Sequence, residues 1–190
     1  FDQGLVARLS AAEEQLLSSC RSLQVACRIL RPTLIYGQVG PYRDRNLSRL
    51  LKIMRLVPLL PVPDQTGLRQ PIHASQLASI VLHLAKQLKE TGWDPDLPEC
   101  ITVGGDTTLS YSAMIHALQQ AQPVGDTARR CRLLPIPNPL FFLLAAPILL
   151  FSPKAFEAVL RMGANLSGFT PVHKILRGCR AQPFPVLTAT

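Results

Sequence analysis

The chain has 190 residues, 47% of them apolar and 17% charged, and a formal net charge of +8. A chain of that length fits one domain that buries about 70% of its unfolded surface, and the composition excludes a disordered, collagen-like or disulfide-scaffold protein. Fifteen of the 20 basic residues are arginine, the side chain that grips phosphate or carboxylate with two donors at once, but no zinc-finger spacing or aromatic–basic interleaving is present, so no nucleic-acid partner is expected.

In chain order, Leu5, Leu9, Ala12, Leu16 and Leu17 recur at helical spacing. Residues 25–30 form a short apolar run closed by Arg31-Pro32, and proline biases the residue before it away from the helix, so a strand ending near Arg31 is predicted. Residues 33–41 read as a loop with Gly37 and Gly40. A helix follows over 44–56, with Leu47, Leu50, Leu51 and Met54 on one face. Residues 57–63 hold three prolines and are predicted irregular or extended, and 68–72 a short extended piece.

Ser75 is predicted to cap a helix to about Leu88, with Leu77, Ile80, Val81, Leu84 and Leu88 inward. Residues 100–103 read as a strand broken by a Gly104-Gly105 turn. Ser110 caps a helix through about Gln120, with Met114, Ile115 and Leu118 inward, and 133–136 read as a further strand. A second helical stretch is predicted over about 153–162, and Thr170-Pro171 as the cap and first position of a helix to about Arg177. Strands alternating with helices define an α/β protein with some parallel pairing.

Residues 133–151 contain one polar side chain, Asn138, among nineteen, but Pro135, Pro137 and Pro139 break its first part and leave a helical candidate of about twelve residues, 140–151, with Pro147 inside it. That is too short to cross a bilayer, which takes about 20. It predicts a packed helix or one that touches a membrane surface through 139–151. Five dispersed cysteines without Cys-x-x-Cys read as reduced thiols in a cytoplasmic setting. The four histidines, 73, 83, 116 and 173, have no metal-ligand spacing, so no metal site is expected. The chain opens on Phe1 rather than Met with no signal peptide ahead of the first amphipathic stretch, which reads as a piece of something longer.

Two segments stand out. Ile29-Leu30-Arg31-Pro32-Thr33-Leu34-Ile35-Tyr36-Gly37 ends a strand in a loop of small and hydroxyl-bearing residues, the place where open α/β sheets bind ligands. Gly67-Leu68-Arg69-Gln70-Pro71-Ile72-His73 sets a lone arginine on an extended piece just before a helix, where it suits an anion. Their order, with Asp44-x-Asn46 between them, Leu77-Ala78 and Val103-Gly104-Gly105-x-x-x-Leu109-Ser110-Tyr111 after them, and the ending Leu166-Ser167-Gly168-Phe169, Leu176-Arg177-Gly178 and Pro183-Phe184, resembles the C-terminal portion of NAD(P)-dependent epimerase/dehydratase proteins, which are extended or atypical short-chain dehydrogenase/reductases.

That resemblance implies a partial Rossmann-like parallel sheet with a small C-terminal α/β substrate lobe: residues 1–60 as the remnant of the nucleotide-binding domain and 61–190 as mostly substrate lobe, together one incomplete domain. Pro32, Thr33 and Tyr36 would lie on the cofactor side. Asn46 would border the substrate, and Arg69 and Gln70 would meet a nucleotide-sugar-like molecule, Arg69 at its diphosphate. It also implies a glycine-rich dinucleotide loop and a Tyr-x-x-x-Lys pair, and neither is present; Val6 and Ser10 stand near the places of the Tyr and Lys, and Gln76 stands where the family usually carries Asp. Without them no catalytic acid or base is identifiable. The resemblance therefore predicts a chain that is inactive alone and binds NAD or NADP only as part of a full-length protein. The alternative it leaves is a non-catalytic family member that works as a binding or assembly subunit, at a membrane or elsewhere.

Overall fold

The computed structural model describes residues 3–92, 96–147, 152, 156 and 159–186. In chain order the elements are α1 (Gln3–Ser22), β1 (Ile29–Pro32), β2 (Ile35–Tyr36), β3 (Gln38–Val39), β4 (Tyr42–Arg43), α2 (Asn46–Leu56), β5 (Leu59–Pro63), β6 (Leu68–Arg69), β7 (Ile72–His73), α3 (Ala74–Glu90), β8 (Cys100–Gly104), β9 (Leu109–Ser110), α4 (Tyr111–Gln120), β10 (Arg132–Ile136), α5 (Asn138–Ala145), β11 (Thr170–Pro171) and α6 (Val172–Ile175). The α/β class read from the sequence holds. Strands β1, β8 and β11 form a parallel sheet with β8 in the centre, and β5–β10 and β2–β7 are parallel pairs. This is compatible with a partial Rossmann-like sheet.

Two apolar cores hold these pieces. In the first, Leu47, Leu51 and Met54 of α2 meet Met114, Ile115 and Leu118 of α4, closed by Val62 and Tyr36. In the second, Ile80 of α3 packs on Ile101 and Val103 of β8, with Ile72, Val172 and Ile175. The β2–β7 pair joins them, because Tyr36 belongs to one core, Ile72 to the other, and their strands are in register as Ile35↔Ile72 and Tyr36↔His73.

Several expectations need correction. The cap of α3 is His73 and not Ser75: its imidazole Nδ1 accepts the Ser75 N–H at 3.2 Å while the Gln76 Oε1 accepts the His73 N–H at 3.1 Å. Imidazole thereby does what Ser or Asp usually does at this position. On the same helix Val81 faces outward, 49% exposed. Thr170-Pro171 is a strand, paired with Val103 and Gly104 of β8, and the cap of the next helix falls one residue later than expected, at Pro171 with Val172 in first position. The helix after it ends at Ile175, short of Arg177. The Gly104-Gly105 step is not a free turn but a place where chain segments touch. A Cβ on Gly105 would lie 2.0 Å from the Pro71 carbonyl oxygen, and one on Gly104 2.7 Å from the Gln70 side chain.

The proline-rich 57–63 segment is a strand over Leu59–Pro63, paired with another proline-rich strand. Arg132 N–H donates to Pro58 O and Asp64 N–H to Ile136 O, both at 2.8 Å. The ladder therefore uses even-numbered residues, and Pro61, Pro63 and Pro135 sit at positions that need no N–H. Helix α5 starts two residues before the expected 140, and its expected end at 148–151 lies outside the described residues, as does half of the stretch predicted over 153–162; of its described residues, 156, 159 and 160 are helical and Arg161–Gly163 form a 3-10 turn. Among the described residues, no helix is long and apolar enough to cross a membrane.

Helix α1 forms as its spacing predicts but enters neither core. Leu5, Val6, Leu9 and Leu16 are about half exposed. Its ties are ionic: Glu13 with Arg31, and Arg21 with Glu99, each guanidinium hydrogen-bonding its carboxylate and holding it below the usual carboxylate range. Such exposed pairs add little stability.

Candidate functional site

The chain leaves β1 at Pro32 and crosses directly onto the segment that carries Arg69 and Gln70. Thr33 N–H donates to Val103 O at 2.9 Å, its hydroxyl to Gln70 O at 2.7 Å, and Ile72 N–H to Leu34 O at 3.0 Å. The two segments singled out in the sequence are therefore in contact, at the carboxyl ends of β1 and β8. A cleft of about 210 Å³ opens beside them, lined by Tyr36 and Gly37, by Asp44, Leu47 and Ser48 at the start of α2, by His73, and by Pro185-Val186 of the C-terminal tail.

Asp44 is fixed by its place. Its carboxylate accepts from the Leu47 and Ser48 N–H groups at 2.7 and 3.3 Å, and from the Gly37 N–H at 3.2 Å. It satisfies the free N–H groups at the start of α2 and ties the preceding loop to that helix. Gly37 has φ of +101°, and a Cβ there would lie 2.0 Å from the His73 Nε2. Only glycine allows the ring that close.

Tyr36 stands edge-on to both His73 and Phe184, at 5.1 and 4.9 Å between centroids. Its hydroxyl accepts the Val186 N–H at 2.8 Å. Burial pushes its pKa up to about 12, with the Val186 contact opposing, so it is a neutral phenol at physiological pH. The tail is anchored independently by the buried Asp106, which accepts from the Gln182 N–H at 3.0 Å and the His173 N–H at 2.9 Å, and lies 2.9 Å from the His173 Nδ1.

Burial lowers the His73 pKa, and Asp44 opposes this. The neutral ring is also the form whose Nδ1 can accept the Ser75 N–H. A histidine held below its ordinary value of 6.5 contributes stability that is complete above that value and is lost as pH falls through it toward the lower folded value. The melting temperature of the chain is therefore expected to drop more steeply than that of a His73→Asn variant as pH falls from about 7 to about 5. Asn keeps the cap without the titration. Parallel slopes for the two proteins would refute this.

Of the residues expected at a site, Tyr36 alone lines this cleft. Pro32 is exposed at the end of β1, Thr33 is half-buried beneath Gln70, and Asn46 is exposed as the first residue of α2. Gln70 is buried, its carboxamide donating to Gly105 O at 2.8 Å and Phe169 O at 3.0 Å and accepting the Phe169 N–H at 3.1 Å. Arg69 is buried too. Its guanidinium donates to the carbonyls of Leu68, Arg161 and Ala164 and lies 5.7 Å from the centre of the Tyr111 ring. Burial lowers its pKa, with Tyr111 opposing.

Sequence reasoning used Pro183-Phe184 only as part of a family-like ending; it did not place the tail at the cleft, which Pro185 and Val186 line, nor single out Asp106, which holds the tail. The only available signal was a carboxylate directly after Gly104-Gly105, and its partners lie 67 and 76 residues away. Compared with known proteins, the chain matches no protein-family profile and no curated protein.

Proposed function

We propose that this chain is the substrate-side, C-terminal part of an NAD(P)-dependent epimerase/dehydratase-like oxidoreductase acting on a nucleotide-sugar-like molecule. The observation that carries this reading is the contact between the loop after β1 and the Arg69–His73 segment, at the strand ends where α/β sheets take ligands. The open edge of β1 and the half-exposed leucines of α1 agree with it, since a larger α/β domain would cover both.

The residues present fit one side of a dinucleotide only. Tyr36 would form the wall for the nicotinamide end, with Thr33 tied behind it to Gln70 O and Pro32 and Asn46 at the exposed ends of β1 and α2, while Val6 and Ser10 supply neither a proton donor nor a ribose ligand. When bound, the nicotinamide supplies the hydride chemistry. The part of this chain is to position and enclose. Gln70 acts by holding the wall together, and Arg69 reaches a diphosphate only on leaving the carbonyls of Arg161 and Ala164.

Alone, the chain is expected to give no heat with NADH in calorimetry and no hydride transfer. Expressed together with the coding sequence upstream of Phe1, it is expected to bind NADH with micromolar affinity. Micromolar binding by the 190-residue chain, or none by the longer polypeptide, would overturn the reading. A non-catalytic binding or assembly role is the second reading, favoured by the way the cleft's polar groups are already engaged: Tyr36 by Val186, Asp44 by three backbone N–H groups, and His73 by Ser75. Cofactor binding by the longer polypeptide without turnover of any nucleotide sugar would select it.

A further inference from the structure

We propose that α5 and the outward face of β10 form a docking surface for an anionic lipid membrane. The proposal is independent of the oxidoreductase reading. Helix α5 turns Phe141 and Ala145 into the protein. On its other side Leu140, Leu143 and Leu144 are 46%, 69% and 62% exposed, at the i, i+3, i+4 spacing of a single stripe. A helix resting on a domain normally gives that side polar residues, yet α5 contains no charged side chain. The strand leading into it continues the pattern: Leu134 is 48% exposed, and its partner across the ladder, Pro61, is exposed as well.

The charge around this surface selects the occupant. Residues 127–147 contain Arg129, Arg130 and Arg132, all exposed, and no aspartate or glutamate; the carboxylates beside them are Asp126, paired with Arg55, and the exposed Asp64 at the end of β5, which leaves the balance positive. Arg132 opens β10 and α5 begins two residues after its end. A five-residue strand spans roughly 15 Å, so the arginine stem together with a Debye length of about 8 Å brings cations and leucines to one headgroup layer. A second copy of this chain is a poor occupant, because a two-fold interface would set the arginines against each other. An eight-residue helix is about 12 Å long, far short of the roughly 30 Å hydrocarbon core. It therefore lies in the interface plane, its leucines at the acyl boundary and its arginines among the phosphates.

The test is co-sedimentation of the chain with vesicles of phosphatidylcholine alone or mixed with phosphatidylglycerol. Three arginines near an anionic surface are expected to tighten binding roughly 100-fold over neutral vesicles, a difference that high salt removes. Leu143→Glu/Leu144→Glu is expected to abolish sedimentation with either vesicle. Both positions are exposed, so the fold should survive, and a melting curve checks this. Arg129→Ser/Arg130→Ser/Arg132→Ser is expected to remove only the preference for the anionic vesicle. No sedimentation with anionic vesicles, equal sedimentation with both kinds, or a leucine variant that sediments like the parent would overturn the proposal. So would a concentration-dependent dimer, formed without lipid and abolished by the leucine changes.

Discussion

Gly105→Ala is expected to destabilise the protein by about 3 kcal/mol, lowering its melting temperature by about 6 to 12 °C. A Cβ at position 105 would lie 2.0 Å from the Pro71 carbonyl oxygen, and backbone has no rotamer through which to retreat. Relief requires Gly105 and the Gln70–Ile72 segment to separate. Separation breaks the bond from Gly105 N–H to Gln70 O at 3.2 Å and the bond from Gln70 Nε2 to Gly105 O at 2.8 Å. It also shifts Ile72, which is fully buried in the second core. The φ of Gly105 lies outside the left-handed region, so the effect is contact and not backbone strain. Gly163→Ala is the matching control, since its Cβ would meet only the Phe142 ring at 3.9 Å, and its cost is expected to stay within about 0.5 kcal/mol. Denaturant melts of the two variants check the pair, and equal effects would show that the contact at Gly105 is not tight.

Local signals were legible where a short stretch of chain settles its own structure. The leucines of α2 and the apolar face of α4 gave these helices away by spacing, and Ser110 caps α4 as expected, accepting the Ala113 N–H at 3.1 Å. The β5–β10 pair was illegible because proline masks strand propensity. Whether a proline harms a strand depends on which side its nitrogen faces, and that is set by the partner strand 73 residues away in the ladder. The candidate site divides the same way. The sequence marked the loop after Pro32 and the Arg69 segment as neighbours of a ligand site, and the structure puts them in contact. Which way their side chains turn was hidden, because Gln70 meets Phe169 across 99 residues and Tyr36 meets Val186 across 150.

Arg69→Leu is expected to cost about 2 kcal/mol, a fall in melting temperature of about 4 to 8 °C, before any ligand is added. Strand β6 runs in backbone contact with residues 161–166. Gly67 N–H donates to Met162 O at 3.0 Å, Leu166 N–H to Leu68 O at 2.8 Å, and a Cβ on Gly67 would lie 1.8 Å from Ala164 O. The Arg69 guanidinium closes that contact by donating to both Arg161 O and Ala164 O. Leucine keeps the bulk but strands the Ala164 carbonyl in a half-buried setting without its donor. Leu68 O and Arg161 O are less affected, because they also accept the Leu166 and Ala164 N–H groups. Removing a buried cation returns part of its desolvation cost, which keeps the net loss near the value of one stranded carbonyl and two weakened ones. Arg69→Lys should lose less than leucine and more than nothing, since an ammonium is a point donor without the planar fork that spans two acceptors. The same experiment separates this clamp from a ligand contact. A guanidinium that served only a diphosphate would leave the melting curves of both variants on that of the parent and move only the affinity for a nucleotide such as UDP. A clamp moves the melting curves without nucleotide, in the order leucine, lysine, parent.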